Sequence, residues 1–310
     1  MSIAEDLSAQ LDQKVVSVEP IPTGHSGFTY WVTTEAGDRY VLRLPPPGAR
    51  IAATADVVRQ GRIMAALHGA GIPAPAIPFM SSEPVVDGRP FVLMEAVAGA
   101  RIEETSEREK PEAIAASAVT VLKQLHALPI EQTGIANEEP MPIVAEMMRW
   151  AMLMQRAPEE LTTRAGELGG RLAAGVPPER QPTLVHGDYH YGNMLFRGAD
   201  VVAVLDWEIS QIGQPLLDLG CLAIMSHRKR FLDAPSPGGS VALPDEDLFA
   251  LYGVGAEEMN WYVAMSLYKY AAILGYNLML HRRGKRPDPM YEHLTSTITG
   301  MIDEGVSLLS

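Results

Sequence analysis

The sequence predicts an α+β chain in two unequal parts, a small β-rich part followed by a larger, mostly helical one. Three observations carry that prediction. Before residue 97 the apolar residues come in short runs broken by Gly, Pro and Asp, the pattern of strands and tight turns. From residue 110 onward they recur at helical spacing over long stretches. Between Leu184 and Gly220, two short apolar runs each end in a carboxylate, Asp188 after the first and Asp206 after the second. The boundary falls near residue 97, giving lobes of residues 1–97 and 98–310.

A chain of 310 residues suits two lobes, and at that size folding buries about three quarters of the unfolded surface. No stabilising staple is required. Lys and Arg number 25 against 38 Asp and Glu, and the net charge of −13 argues against a general affinity for nucleic acid or an anionic membrane. A neutral or cationic small-molecule substrate fits better, although acidic surfaces also serve solubility alone. The single cysteine, Cys221, excludes an internal disulfide and reads as an inert core thiol. With no signal-peptide pattern and no long apolar run, the expected location is the cytoplasm.

The stretch LVHGDYHYGNMLFRGADVVAVLDWE carries the chemistry. Moving a phosphoryl group to an alcohol needs a group that orients the hydroxyl and accepts its proton, and metal ions that bridge the phosphates. Asp188 suits the first task. Magnesium prefers hard oxygen ligands and keeps several waters, so the amide of Asn193, five residues on, and the carboxylate of Asp206 suffice to hold it. His186 reads as a partly buried brace for the loop; His190 is either near the substrate or without a role. The order His186, Asp188, Asn193, Asp206 matches the protein-kinase pattern of catalytic loop and metal-binding Asp.

HGDYHYGN, then LDWE, then DLG resembles the aminoglycoside phosphotransferase and choline kinase family. That resemblance implies a bilobal protein-kinase-like fold, ATP or GTP as nucleotide, Mg2+, and a small-molecule hydroxyl acceptor. It also implies a bracing role for Asp218 under the catalytic loop. Gly187 stands where protein kinases carry Arg, and only 12 residues separate Asn193 from Asp206, too few for a regulatory activation loop.

In chain order, residues 3–13 form an amphipathic lead-in helix with Ile3, Leu7 and Leu11 on one face. The strand Val15–Pro20, the turn at residues 23–27 and the alternating YWVTT read as a hairpin. Gly24 and Gly27 permit close backbone approach to a phosphate, and amides around Ser26 can donate to it. The same glycines also make an ordinary turn; the resemblance implies that Ser26 and Gly27 cover the nucleotide phosphates. Residues 38–44 form the next strand, with Arg43 where the family usually carries a phosphate-gripping lysine. Gln60, on a helix at residues 55–68, takes the place of that lysine's glutamate partner. Arg43 is therefore expected to hold phosphates, or else to be an exposed strand-end charge. The proline-rich LPPPGAR and PAPAIP are loops. Strands at residues 83–86 and 90–95 flank the turn Asp87-Gly88. The resemblance makes residues 95–99 the interlobe hinge, with backbone groups of Glu95 and Val97 at the adenine edge and Met94 lining its pocket; by itself FVLME is only a core strand.

Helices are expected at residues 110–128, 142–156, 161–174 and 216–227, followed by a polar loop at 233–244 that covers substrate or is mere surface. His126 ends the first helix as a satisfied polar group, and the methionine-rich second helix reads as core or as an acceptor wall. Residues 257–283 form one long helix or two, and their aromatics read mostly as core. This segment, YVLRLPPPG and the DWE resemble the kinase-like part of some acyl-CoA dehydrogenase fusions, a subgroup linked to phosphorylation of hydroxylated acyl thioesters. The competing reading, a nucleotide-binding module with little turnover, rests on Arg43 and Gln60.

Overall fold

The computed structural model describes residues 2–21, 28–52, 55–105, 110–226 and 241–310. Ser26 and Gly27, and residues 233–240 of the expected substrate loop, lie outside the described residues. The two-part α+β organisation is the one expected from the sequence. In the first part come α1 (Ile3–Leu11), β1 (Val15–Pro20), β2 (Phe28–Thr34), β3 (Arg39–Leu44), α2 (Val57–Gly69), β4 (Phe79–Val86) and β5 (Arg89–Glu95). The five strands make one antiparallel sheet in the order β1-β2-β3-β5-β4.

Successive side chains on a strand face opposite ways, and β5 uses both faces. Phe91 and Leu93 join Leu7 and Leu11 of α1 in one apolar cluster, while Val92 and Met94 join Ile63, Met64 and Leu67 of α2 in the other. β4 begins earlier than the expected 83–86 because it is an edge strand. Phe79 and Met80 are 37% and 40% exposed, and the pairing with β5 is irregular between Ser81 and Val86, around Pro84, so no clean alternation marks it.

The second part holds α3 (Pro111–Ala127), α4 (Ile143–Met154), α5 (Ala165–Ala174), β6 (Thr183–Val185), β7 (Met194–Arg197), β8 (Asp200–Val204), β9 (Gln211–Gly213), α6 (Leu216–Ser226), α7 (Asp245–Tyr252), α8 (Ala256–Arg282) and α9 (Thr295–Leu308). The segment expected at residues 257–283 is thus one continuous helix, α8, ending at Arg282, and it buries Trp261, Tyr262, Tyr268 and Tyr270. The methionines of α4 divide: Met154 is core, but Met148 and Met152 are 56% and 61% exposed. Among the described residues no helix is long and apolar enough to cross a membrane.

The runs that deliver Asp188 and Asp206 do not pair with each other: β6 pairs with β9, and β8 pairs with β7 in a separate hairpin. What joins them is the loop at residues 186–193, held from below by α6. Asp218, fully buried on α6, accepts from the His186 N–H at 2.7 Å and the Gly187 N–H at 2.8 Å. Gly187 has φ +82, and a Cβ there would stand 2.6 Å from the Ile209 carbonyl oxygen. This position therefore excludes the Arg of protein kinases on steric grounds.

His186 is fully rather than partly buried. One of its ring nitrogens, Nδ1, accepts the Asp188 N–H at 3.1 Å, so Nε2 carries the proton and donates to the Leu205 carbonyl at 2.8 Å. A second proton would have to go on Nδ1 and break the bond to Asp188. Burial pushes the imidazole below its ordinary value of 6.5, with Asp218 and Asp188 opposing the shift.

The two parts are tied together by Arg59 of α2. Its guanidinium grips Glu138 through bonds of 2.6 and 2.7 Å and Ser210 through its hydroxyl at 3.1 Å and its carbonyl at 2.9 Å. Both Arg59 and Glu138 are substantially shielded, with side chains 13% and 34% exposed. Replacing Arg59 with Met is expected to cost about 1.5–3 kcal/mol in urea denaturation, the range for charge-assisted bonds shielded from water. The His186 imidazole gives a second expectation. Below its unfolded value the unfolded chain takes up a proton that the folded chain refuses, so stability falls as pH drops through about 6.5, by at most about 1.4 kcal/mol per pH unit. Urea melts at pH 7 and 5.5 should show a shallower loss for His186→Gln; parallel losses in both proteins would refute the assignment.

Candidate active site

The strand register brings Asn193 and Asp206 together. In the β7–β8 hairpin Met194 pairs with Val204, and the Leu205 N–H then donates to the Asn193 carbonyl at 2.8 Å, closing the foot of the hairpin. Asp206 follows immediately, in a left-handed conformation at φ 65 that Asp tolerates better than most residues. Trp207 is buried, donates its indole N–H to the Val204 carbonyl at 3.0 Å and packs against the His186 ring at a centroid distance of 4.5 Å. The hairpin foot and the 186–193 loop are thereby packed as one unit.

Asp188 sits across from that foot. The Asn193 side-chain nitrogen donates to the Asp188 carbonyl and to its Oδ2, both at 3.0 Å, which turns the Asn193 amide oxygen away from Asp188. His190 accepts the Gly192 N–H on Nδ1 at 3.1 Å, so Nε2 faces Asp188 Oδ2 at 3.5 Å. His190 therefore lies within the acid cluster and is not an idle loop residue. Burial alone would raise the Asp188 carboxyl, but His190, Lys269 and Tyr270 together hold it well below the usual carboxylate range. Its side chain is still 27% exposed, enough for a ligand to reach it.

Arg43 projects from β3 onto the acids. Its two amino groups converge on Asp206 Oδ1 at 3.3 and 3.2 Å, and one also reaches Glu208 Oε2 at 3.2 Å. The alternative of an exposed strand-end charge is overturned, since the Arg43 side chain is only 14% exposed. Gln60 is buried on α2. The pairing of Arg43 leaves Asp206 Oδ2 for an ion, and the Asn193 amide oxygen supplies a second hard donor. Among the described residues no group of three or more His, Cys, Asp or Glu side chains could hold a metal, and an ion that keeps most of its waters needs no such group.

At the junction of the two parts, Met94 is 8% exposed and packs on the α2 side of the sheet. The Glu95 N–H donates to the Ala76 carbonyl at 2.9 Å, so the group Glu95 has to offer a purine edge is its carbonyl. Val97 is half-buried.

Two contacts on Asp188 and its loop come from α8, and neither was foreseen. Tyr270 donates its hydroxyl to Asp188 Oδ1, and Lys269 donates to the Gly187 carbonyl. The one signal for them is a charge, Lys269, set in the apolar run LYKYAAIL. Glu208 was visible as part of DWE but received no role, and Arg59 gave no sign of its partners. His126, expected as a helix-end group, contacts Tyr252 at 2.8 Å and Asp218 at 3.3 Å, so it also supports the brace.

Residues 17–262 match the profile of the Phosphotransferase enzyme family. Acyl-CoA dehydrogenase family member 10 of Mus musculus is 29% identical over 272 residues, covering 81% of this chain and 25% of that protein. Acyl-CoA dehydrogenase family member 11 of Homo sapiens is 28% identical over 284 residues, covering 84% and 36%. The chain thus spans from a quarter to just over a third of the length of these relatives. Among solved structures, a candidate aminoglycoside phosphotransferase from Ralstonia eutropha superposes with a TM-score of 0.80 at 23% identity, covering 98% of this chain and 97% of that one. A thermostable mutant of aminoglycoside phosphotransferase APH(4)-Ia, in ternary complex with AMP-PNP and hygromycin B, gives 0.69 at 14% identity over 99% and 98%. A choline/ethanolamine kinase family protein from Mesorhizobium loti gives 0.59 at 17% identity over 95% and 92%. The kinase-like architecture, the acid-lined junction between its parts and the match along most of its length lead to one conclusion: the chain belongs to the Phosphotransferase enzyme family.

Proposed function

We propose that this chain is an ATP- and magnesium-dependent small-molecule O-kinase, with residues 1–97 as the nucleotide lobe and residues 98–310 as the acceptor lobe. The observation that carries the reading is the convergence of Asp188, Asn193 and Asp206 at one partly open junction. Asn193 and Asp206 hold the metal through oxygen. A magnesium ion bound there supplies charge neutralisation across the nucleotide phosphates. Arg43 holds the phosphates with N–H groups that Asp206 and Glu208 do not occupy. Met94 and the backbone of Glu95 and Val97 contact the adenine. ATP is preferred as the nucleotide because a structural neighbour carries AMP-PNP.

Asp188 orients the acceptor hydroxyl. A carboxylate held this far below its usual range is a weak base, so it accepts the proton late, once transfer of the phosphoryl group has made the attacking oxygen more acidic. That timing suits the loose transition state of phosphoryl transfer, where positioning contributes more than early proton abstraction.

The acceptor is a neutral or partly apolar alcohol, and hydroxyacyl thioesters are the first class to test because the curated relatives are named for acyl-CoA dehydrogenation. A nucleotide-binding module without turnover is the second reading, favoured by the Arg43 fork already resting on Asp206 and Glu208.

MgATP consumption against a panel of hydroxyacyl thioesters, amino alcohols and aminoglycosides separates the two readings; binding with no product from any acceptor would favour the module. With a working acceptor, Asp188→Ala should lower kcat about 100- to 10,000-fold while MgATP affinity changes little. Asp206→Asn should weaken magnesium-dependent ATP binding in calorimetry and leave magnesium-free binding unaltered. A folded Asp188→Ala protein with near wild-type turnover would remove Asp188 from its role.

A further inference from the structure

The α8 helix crosses directly beneath the loop that carries Asp188. It approaches α6 so closely that a Cβ on Gly220 would stand 2.6 Å from the Tyr262 carbonyl oxygen. That close crossing brings Tyr270 between Cys221 of α6 and Asp188. The direction of the resulting chain follows from counting protons. Tyr270 has a single hydroxyl proton and gives it to Asp188 Oδ1, so the Cys221 thiol, 2.8 Å away, donates to the Tyr270 oxygen. One turn-edge away, Lys269 is 7% exposed, donates to the Gly187 carbonyl and lies 5.1 Å from the centroid of the Trp150 ring. Consecutive helical residues ordinarily diverge, yet these two reach the backbone and the side chain of the same two-residue segment, because the loop wraps over the helix.

We infer that Lys269 and Tyr270 are a positioning clamp for the phosphoryl-transfer base: Lys269 fixes the loop backbone at Gly187, and Tyr270 fixes the rotamer of the Asp188 carboxylate so that Oδ2 faces the acceptor and Asn193. The clamp rests on the O-kinase reading for its function, but not for its geometry. A carboxylate on a short side chain rotates about two bonds, and Asn193 restrains only Oδ2 and the carbonyl. The Tyr270 hydroxyl supplies the missing restraint on Oδ1. Neither residue touches a reacting atom.

Tyr270→Phe removes one oxygen and keeps the ring. With a hydroxyacyl thioester as acceptor, it should lower kcat about 10- to 100-fold, with both KM values and the calorimetric MgATP Kd within about twofold of wild type. In an Asp188→Ala background, followed by single turnover with radiolabelled ATP, the same substitution should cause no further loss, because the group it restrains is gone. Lys269→Met, the second variant, should also lower kcat and should speed amide hydrogen exchange across residues 186–193. Equal losses from Tyr270→Phe in both backgrounds would overturn the clamp in favour of general packing, as would undiminished kcat. If the wild-type chain phosphorylates none of the acceptors, the O-kinase reading fails, and exchange alone decides the clamp. Faster exchange across residues 186–193 in Lys269→Met upholds it, and unchanged exchange in that variant overturns it.

Discussion

The two bonds from the Asp218 carboxylate to the His186 and Gly187 amides are the constraint on which the rest of the site depends. A fully buried carboxylate is costly unless its lone pairs are satisfied. Two backbone donors, with His126 on the flank, meet that need and at the same time hold the loop in one shape. The shape includes a left-handed Gly187, which turns the chain so that Asp188 points outward while His186 points into the core. With the loop so shaped, His186 can bond Leu205, at the foot of the second hairpin, and Asp188 can meet Asn193.

Charge is organised on the same plan. The chain is acidic overall, and four of its acids, Asp188, Asp206, Glu208 and Asp218, meet near the junction of the two parts. Each has its own compensation. Asp218 takes backbone amides, Asp188 takes His190, Lys269 and Tyr270, and Asp206 and Glu208 share Arg43. Because the partners come from α8, β3 and the loop itself, each acid is drawn to its own donors, and the loop and hairpin stay together. Arg59 contributes at a distance: through Ser210, whose hydroxyl donates to the Trp207 carbonyl at 2.7 Å, it couples α2 to the DWE segment.

What was legible in the sequence is what is local in it. Asp188, Asn193 and Asp206 could be read because five residues and one hairpin separate them, and spacing of that length survives folding almost unchanged. β1 and the helices α3 and α5 were legible because their periodicity is their own. The pairing of β6 with β9 was not, since strands of three residues have no periodicity to detect and gain their identity only from a partner far along the chain. The edge strand β4 lost its signal to solvent exposure. Tyr270 is 82 residues from Asp188 and stands in a helix that is apolar nearly all round, where an additional tyrosine resembles core. Lys269 carried a signal, since an ammonium in such a helix requires an acceptor, but that acceptor, the Gly187 carbonyl, lies 82 residues away in the chain. The methionines of α4 were misleading for the opposite reason, because composition does not say which face of a helix is covered.

The replacement of the family's lysine by Arg43 can be judged on the same physical terms. A lysine ammonium is a point charge that pairs with an acid or with a phosphate. A guanidinium has five N–H donors, and Arg43 uses three of them on Asp206 and Glu208, which leaves two. It therefore keeps both acids and retains two N–H groups that neither acid occupies. This shifts the problem usually solved by a glutamate on the neighbouring helix. Arg43 is held by the DWE acids themselves and so needs no acid from α2, where the neutral Gln60 is buried. The ion pair of Arg43 lies at the junction, where it joins β3 directly to the segment that follows β8.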